Sequence, residues 1–386
     1  MYIKTAGLTT ILLSIAAPWL YGRAILLSHM ITNAPHKITP LSTFKAQEHR
    51  LTHSIRNCED GLMDEAMGLA ILSCDAGRDS WNTVLGYFNI ADVVNGGLYL
   101  YDYSNADLSD EEALKRITFS NFPSAETDFH PLGIEYYAPT STLYVVNHAR
   151  SGSAVEIFQL SISDGIATHV GTLKHELLPT PNAIVAINEA EIYVSNDHHF
   201  RVRFNPVLAK LETYIGIPGG SVVHINLAKN ITRTVARVPM ANGIKFLNET
   251  TLAVSSSSTE TVRLYNVTET TRDLVFLKSI TVPEGSPDNL SVDGNGKLLI
   301  AAHMHVPSMM KISQTRIWCN SPEGQGTDVC KVRAPSWLGE WSEEGGVKTL
   351  YRGVDIMTAS TVMRDTTRGI ALVTGLYDRG VLVFRD

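Results

Sequence analysis

Four separate stretches of the 386-residue chain place a carboxylate or carboxamide just before an apolar run: Glu59-Asp60, Asn182, Asn242 and Asp288-Asn289. They sit in "NCEDGLMDEAMGLAILSCD", "LPTPNAIVAINEAEIYVSND", "VPMANGIKFLNETTLAVSS" and "SPDNLSVDGNGKLLIAAH". Oxygen donors of this kind suit a hard cation. Calcium takes about six to eight oxygens from carboxylates, carbonyls and water. Side chains so far apart in sequence reach one ion only if the fold repeats and brings equivalent positions to one axis.

Histidines are the other candidate chemistry, and thirteen are present. His198-His199 are neighbours, so on a strand they face opposite ways and make a poor metal pair; His198 is the one expected to line a pocket. His303 and His305 share a strand face, but a third zinc ligand at useful spacing is missing, so pocket lining is expected of them instead. "HELLP" carries Pro179 where a zinc-protease helix needs its second histidine. No G-x-S-x-G elbow, P-loop or dinucleotide-binding G-x-G-x-x-G is found.

The elements that must position these residues are strands. Short β-branched or alternating runs such as "TLYVVNH", "EIYVSND", "TLAVSSSS", "KLLIAAHMH" and "GVLVFRD" are bounded by Gly, Asn, Asp and Ser. Sustained helical patterns are few after the N-terminal segment, "SDEEALKRI" being one short candidate. Taking Glu59, Leu132, Asn182, Asn242, Asn289 and Ser360 as equivalent gives six units, spaced by about 47 to about 73 residues. The expected fold class is all-β: a six-bladed β-propeller over residues 55–386, whose inner strands line a central channel. A β-sandwich would not explain the repeat.

Composition agrees with a large folded core: 44% of residues are hydrophobic and 18% charged. The net charge of −7, with no Lys/Arg cluster, argues against nucleic acid as a partner. Residues 5–22 carry no charge and lie between Lys4 and Arg23. Residues 1–30 therefore read as a hydrophobic N-terminal helix, a signal anchor or a signal peptide, followed by a linker over 31–54. Either reading sends the folded part to the secretory lumen or outside, membrane-anchored or secreted. Sequons at Asn230, Asn248 and Asn266 mark glycosylation candidates. Four cysteines allow three connectivities; local spacing favours Cys58 with Cys74 and Cys319 with Cys330.

From about residue 55 onward the chain resembles the serum paraoxonase/arylesterase family of calcium-dependent lactonases. The likeness is densest in "LYVVNHARSGSAVEIFQL", "TLKHELLPTPNAIVAI", "YVSNDHHF", "ANGI", "PDNLSVD" and "ASTV". It implies a central calcium held by Glu59, Asn182, Asn242, Asp288 and Asn289. A second, deeper ion would use Asp60, the Ile134 carbonyl and an Asp at position 183, where this chain has Ala183. The family's water-activating histidine falls on Leu132, while its partner histidine is kept as His148. His130 lies two residues from Leu132, one step too far along to replace the missing ring. A disulfide tying the chain ends is absent, since no cysteine follows Cys330.

The resemblance implies a calcium-dependent hydrolase of lactones or aryl esters, acting on a small-molecule substrate. Its base is His148 or a metal-bound carboxylate, Asp288 or Glu59. Two rivals stay open: a propeller that keeps the metal site as a binding module, and a strictosidine-synthase-like enzyme of secondary metabolism.

Overall fold

The structure, a computed structural model, describes the backbone of residues 2–386, with side chains for residue 14 and from residue 17 onward, residue 92 excepted. Six sheets, antiparallel except where Thr118–Ser120 joins the outer edge of the second in parallel, follow one another along the chain and are arranged as the blades of the expected β-propeller. Their inner strands are β1 (Cys58–Asp64), β2 (Pro131–Tyr137), β3 (Pro181–Asn188), β4 (Ala241–Asn248), β5 (Ser286–Val292) and β6 (Ala359–Asp365). Each packs against the next, and β6 packs against β1, so the ring is closed.

The second strand of every blade is buried along nearly its whole length, as in "TLYVVN" of residues 142–147. A strand with a blade on each side has two apolar faces, which is why these runs are continuous rather than alternating. The core consists of layers between neighbouring blades. Ile71 and Leu98 of the first blade, for example, pack on Ile134, Leu143 and Phe158 of the second. Full burial of such a side chain is worth about 1.5–3 kcal/mol, so the interfaces hold the ring together.

Ring closure uses residues 31–54, the stretch expected to be a linker. Ala46–Arg50 adds to the sixth blade by pairing antiparallel with Val381–Arg385, and Leu41–Ser42 pairs with the outer strand of the fifth. These hydrogen bonds join the two ends of the chain where a disulfide is missing. They also cover two outer edges that would otherwise present unpaired backbone.

Three helices lie outside the blades: α1 (Tyr2–Thr32), α2 (Pro206–Ile215) and α3 (Val306–Cys319). Much of the uncharged segment 5–22 falls among residues whose side chains are not described. Among the described residues, no helix is long and apolar enough to cross a membrane. The expected helix in "SDEEALKRI" is short: Asp110–Ala113, capped reciprocally by Ser109 and Glu112, before the chain turns into a strand at Leu114. Both disulfides form as expected, Cys58–Cys74 and Cys319–Cys330.

One irregularity recurs in all six inner strands. The pairing register slips after the first paired residue of each, or after the second in β5, leaving Glu59, Leu132-Gly133, Asn182-Ala183, Asn242-Gly243, Asp288-Asn289 and Ser360 in a bulge. A bulge re-aims side chains and sharpens local twist. Register matches Asp288, rather than Asn289, to Asn182 and Asn242. The strands run close here. A Cβ at Gly243 would lie 2.6 Å from the Asn289 Cα and 2.7 Å from the Asp288 carbonyl oxygen.

Gly243→Ala should therefore force β4 from β5 and cost about 1–3 kcal/mol of unfolding free energy. Gly171→Ala, at a position with nothing within 4 Å, should stay within about 0.5 kcal/mol of the parent. Denaturant unfolding of the two variants checks this, and equal stabilities would refute the close-approach argument.

Candidate metal centre and active-site cavity

At the end of the ring where the inner strands begin lies a cavity of about 120 Å³. Its floor is Glu59, Leu132, Asn182, Asn242 and Asp288, one residue from each of five bulges. Its walls come from outside the ring: Met30 of α1, Thr213 and Tyr214 of α2, Met309 and Met310 of α3, and the strand-end histidines His198 and His303. The two longer helices were not legible as helices in the sequence. Their signals were present, Pro206 at the first turn and Gly216 in left-handed conformation at the end of α2, and Pro307 in the first turn of α3.

Hydrogen bonds fix the orientation of the floor amides. Asn242 Nδ2 donates to Asp288 Oδ1 at 2.5 Å. Asn289 Nδ2 donates to Glu59 Oε1 at 3.1 Å and is 3.1 Å from Thr361 Oγ1. With those nitrogens committed, four buried oxygens are left without a donor: Glu59 Oε2, Asn182 Oδ1, Asn242 Oδ1 and Asn289 Oδ1. An unsatisfied buried polar atom costs about 1–3 kcal/mol, and several around one floor need a common partner. A cation would provide it.

Charge points the same way. Burial raises the Glu59 pKa well above the usual carboxylate range, and the nearby Asp288 and Asp60 carboxylates push it further. Burial also lifts Asp60 to about 6, against the opposing hydrogen bonds from the Ile134 and Gly61 amides and the Thr361 hydroxyl. Among the described residues, no group of three or more His, Cys, Asp or Glu is placed to hold a metal. That gives no support for a zinc-type cluster among them. It leaves the mixed carboxylate–carboxamide set, whose hard oxygens fit calcium.

The histidines fall out differently from expectation. His148 is buried outside this cavity, beside Trp81 in a smaller pocket. Its Nε2 donates to the Pro181 carbonyl at 2.6 Å and its Nδ1 meets the Thr83 hydroxyl. Burial holds its pKa below the ordinary value. His130 is tied to Asp75, 3.3 Å away. Neither reaches the floor beside Leu132. His305 caps α3, its Nδ1 accepting from the Ser308 amide, and does not pair with His303.

Two cavity-lining histidines remain. His198 sits 3.1 Å from Asp197 and 2.7 Å from Thr213 Oγ1. Burial disfavours its charged form, but Asp197 and Glu212 more than offset this and raise its pKa. His303 Nε2 lies 2.9 Å from Asp288 Oδ2, while its Nδ1 has no partner. Sequence reasoning placed His303 on the pocket but missed this contact. The signal was its place at the end of the second strand, opposite Ser286 at the start of β5.

The raised carboxylates set a pH test. A carboxyl whose folded pKa exceeds its unfolded value favours the folded state while protonated, and that stability is lost as pH rises through the folded value. Ion-free protein should lose this contribution between about pH 4 and the folded values, about 6 for Asp60 and higher for Glu59. Calcium at 100 times its Kd should restore roughly 2.7 kcal/mol at pH 8 and markedly less at pH 5.5, where protons compete. Thermal unfolding with calcium or chelator at both pH values measures this, and an equal calcium increment at the two would refute it.

Known proteins resemble this chain in fold or in sequence. The solved structure of a luciferin-regenerating enzyme superposes with a TM-score of 0.53 over 90% of this chain and 96% of its own, at 13% identity, which speaks to the fold alone. Rabbit (Oryctolagus cuniculus) serum paraoxonase/lactonase 3 is 28% identical over 76% of this chain and 78% of its own. Human serum paraoxonase/arylesterase 2 is 32% identical over 66% of this chain and 68% of its own. The family model described as Arylesterase matches residues 82–351, a span that takes in Asn182, Asn242, Asp288, Asn289 and His303. On that match the chain belongs to the arylesterase family.

Proposed function

We propose that this chain is a calcium-dependent hydrolase of lactones and aryl esters, with water as the nucleophile. The observation that carries the reading is the set of orphaned oxygens of Glu59, Asn182 and Asn242 beside Asp288 on the floor of a largely apolar cavity, with Asn289 Oδ1 orphaned next along the chain. A calcium ion held by Glu59, Asn182, Asn242, Asp288 and Asn289 would supply a Lewis acid for the substrate carbonyl and its developing oxyanion.

Proton transfer falls to His303 rather than His148. Asp288 Oδ2 can only accept from Nε2–H, which leaves the His303 Nδ1 lone pair unprotonated and free to take a proton from water. Asp288 thus fixes the tautomer and orientation of the ring. His148, with both nitrogens engaged away from the cavity, holds the start of β3 through the Pro181 carbonyl, next to Asn182. The walls exclude water and receive the apolar part of the substrate. Four methionines, Met30, Met240, Met309 and Met310, line them. Unbranched, polarizable thioethers adapt to acyl chains or rings of different shape.

The rim suits a lipid surface. Tyr21 of α1 and Val207 of α2 are 71% and 69% exposed, and Arg23 ties the helices together by donating to the Thr213 and Tyr214 carbonyls. Asn230, Asn248 and Asn266 are all exposed at the other end of the third and fourth blades, on the turn and strand ends remote from the cavity. Glycans there would point away from a membrane under the rim. We place the protein in the secretory pathway, membrane-associated through α1.

Leu132 supports a second reading, a metal-retaining binding module without turnover. The test is a panel of lactones of graded ring and chain length, with phenyl esters, assayed on the full chain with calcium or chelator. Turnover that chelator abolishes is expected. No turnover on any member while calcium stays bound would leave the binding module. His303→Gln should lower kcat by about 10²- to 10⁴-fold with calcium binding unchanged, and an unaltered kcat would remove His303 from the chemistry.

A further inference from the structure

The other end of the ring opens into a second cavity, of about 420 Å³, lined by Asp60, Ile134, Glu135, Ala183 and Lys245. The second ion implied by family resemblance would have to sit here, and the residues present do not fit it. Asp60 accepts three hydrogen bonds from the chain, two of them from backbone amides that hold the carboxylate in place, whereas Asp288 accepts one side-chain bond at each oxygen. Asp60 Oδ1 takes the Gly61 amide at 2.8 Å and the Thr361 hydroxyl at 3.0 Å, and Oδ2 takes the Ile134 amide at 2.9 Å. Neither Asp60 nor Glu135 leaves a buried oxygen unpartnered; among the described lining residues only Asn289 Oδ1 does, on the amide that donates to Glu59. Ala183 brings only a methyl group.

What the lower cavity has instead is a cation of its own. Lys245 on β4 reaches past β3 to Glu135 on β2, with Nζ 3.0 Å from Glu135 Oε2. Glu135 Oε1 meanwhile takes the Ala186 amide of β3, so the pair is tied to the intervening strand. Ala183 lines the same cavity. Burial lowers the Lys245 pKa, but the Glu135 and Asp60 carboxylates outweigh it and keep the ammonium charged.

We propose that Lys245 is a built-in counter-cation: its ammonium takes the place of a second divalent ion between Asp60 and Glu135, so the chain binds one calcium and not two. The ammonium then offsets one of the two carboxylate charges at the lower end of the channel whether or not calcium is present, and ion loss unloads the catalytic floor. This rests on the central ion proposed above.

The experiment is calcium stoichiometry of the full chain, stripped with chelator and titrated calorimetrically, with atomic emission on the re-equilibrated protein. One ion per chain is expected. Two ions would overturn the inference alone, whereas none would overturn the central site and this inference with it. Lys245→Gln exposes the Asp60 and Glu135 carboxylates to each other and should raise the stoichiometry from one to two, the added ion binding more weakly. Asp60→Asn in the same background should return it to one. A Lys245→Gln protein that folds and still binds one ion would overturn the role of the ammonium. If that variant does not fold, the parent stoichiometry decides.

Discussion

Three carboxylates, Glu59, Asp60 and Asp288, lie almost fully buried along one channel, and the rest of the site is arranged around the need to balance them. Unpaired charge in a dry interior is costly, so a folded chain must bring cations or donors to each carboxylate or leave it protonated. The chain brings donors to Asp60, through two backbone amides and the Thr361 hydroxyl. It brings an amide to Glu59 and an amide and an imidazole to Asp288. Donors are short on the upper floor, where one Glu59 oxygen and three amide oxygens are unpartnered. The chain's own hydrogen bonds thus separate a satisfied end from an end that calls for an ion.

That division depends on backbone geometry before it depends on side chains. The same register slip at the start of every inner strand turns the bulge residues toward the axis, and close strand approach keeps them within reach of one another. Closing the ring is the condition for this convergence. Here the condition is met by interblade packing and by a strand borrowed from before the first blade. With hydrogen bonds rather than a covalent clasp joining the ends, opening of the sixth blade is opposed by ordinary, reversible contacts. The sixth blade packs directly on β1, so its opening would disturb Glu59 first.

What is legible in the sequence follows the same physics. The inner and second strands show as β-branched runs because two-sided burial demands them, and the oxygen donors show because they precede those runs at matching positions. The closing strand "AQEHR" does not show, because it lies on the outside with four of its five residues exposed and so has no apolar pattern. The proton-transfer residue is hidden for another reason. His148 and His303 both end the second strand of a blade and look equivalent on paper. Only the three-dimensional hydrogen bonds distinguish an imidazole spent on Thr83 and Pro181 from one that leans on Asp288 with a nitrogen to spare. Likewise Ala183 reads as a missing ligand until Lys245 is seen lining the same cavity.

Leu132 then has a consistent place. With His303 approaching from the fifth blade, the floor position on the second blade needs no imidazole, and a leucine there packs on Tyr144, Val146 and Ile184 in the layer between the second and third blades. It gives the side of the floor away from Asp288 an apolar surface. A carbonyl substrate entering past the methionines would therefore meet polar groups over most of the floor, from Glu59, Asn182, Asn242 and Asp288 with His303 beside it, and hydrocarbon at Leu132. Polarity concentrated on the floor, beneath walls that carry four methionines, orients a small ester without a dedicated pocket for each acyl group, because the reactive carbonyl alone has a reason to turn toward the metal-binding oxygens. Selectivity in such a site comes from the shape of the helix-built walls, while the chemistry stays with the strands.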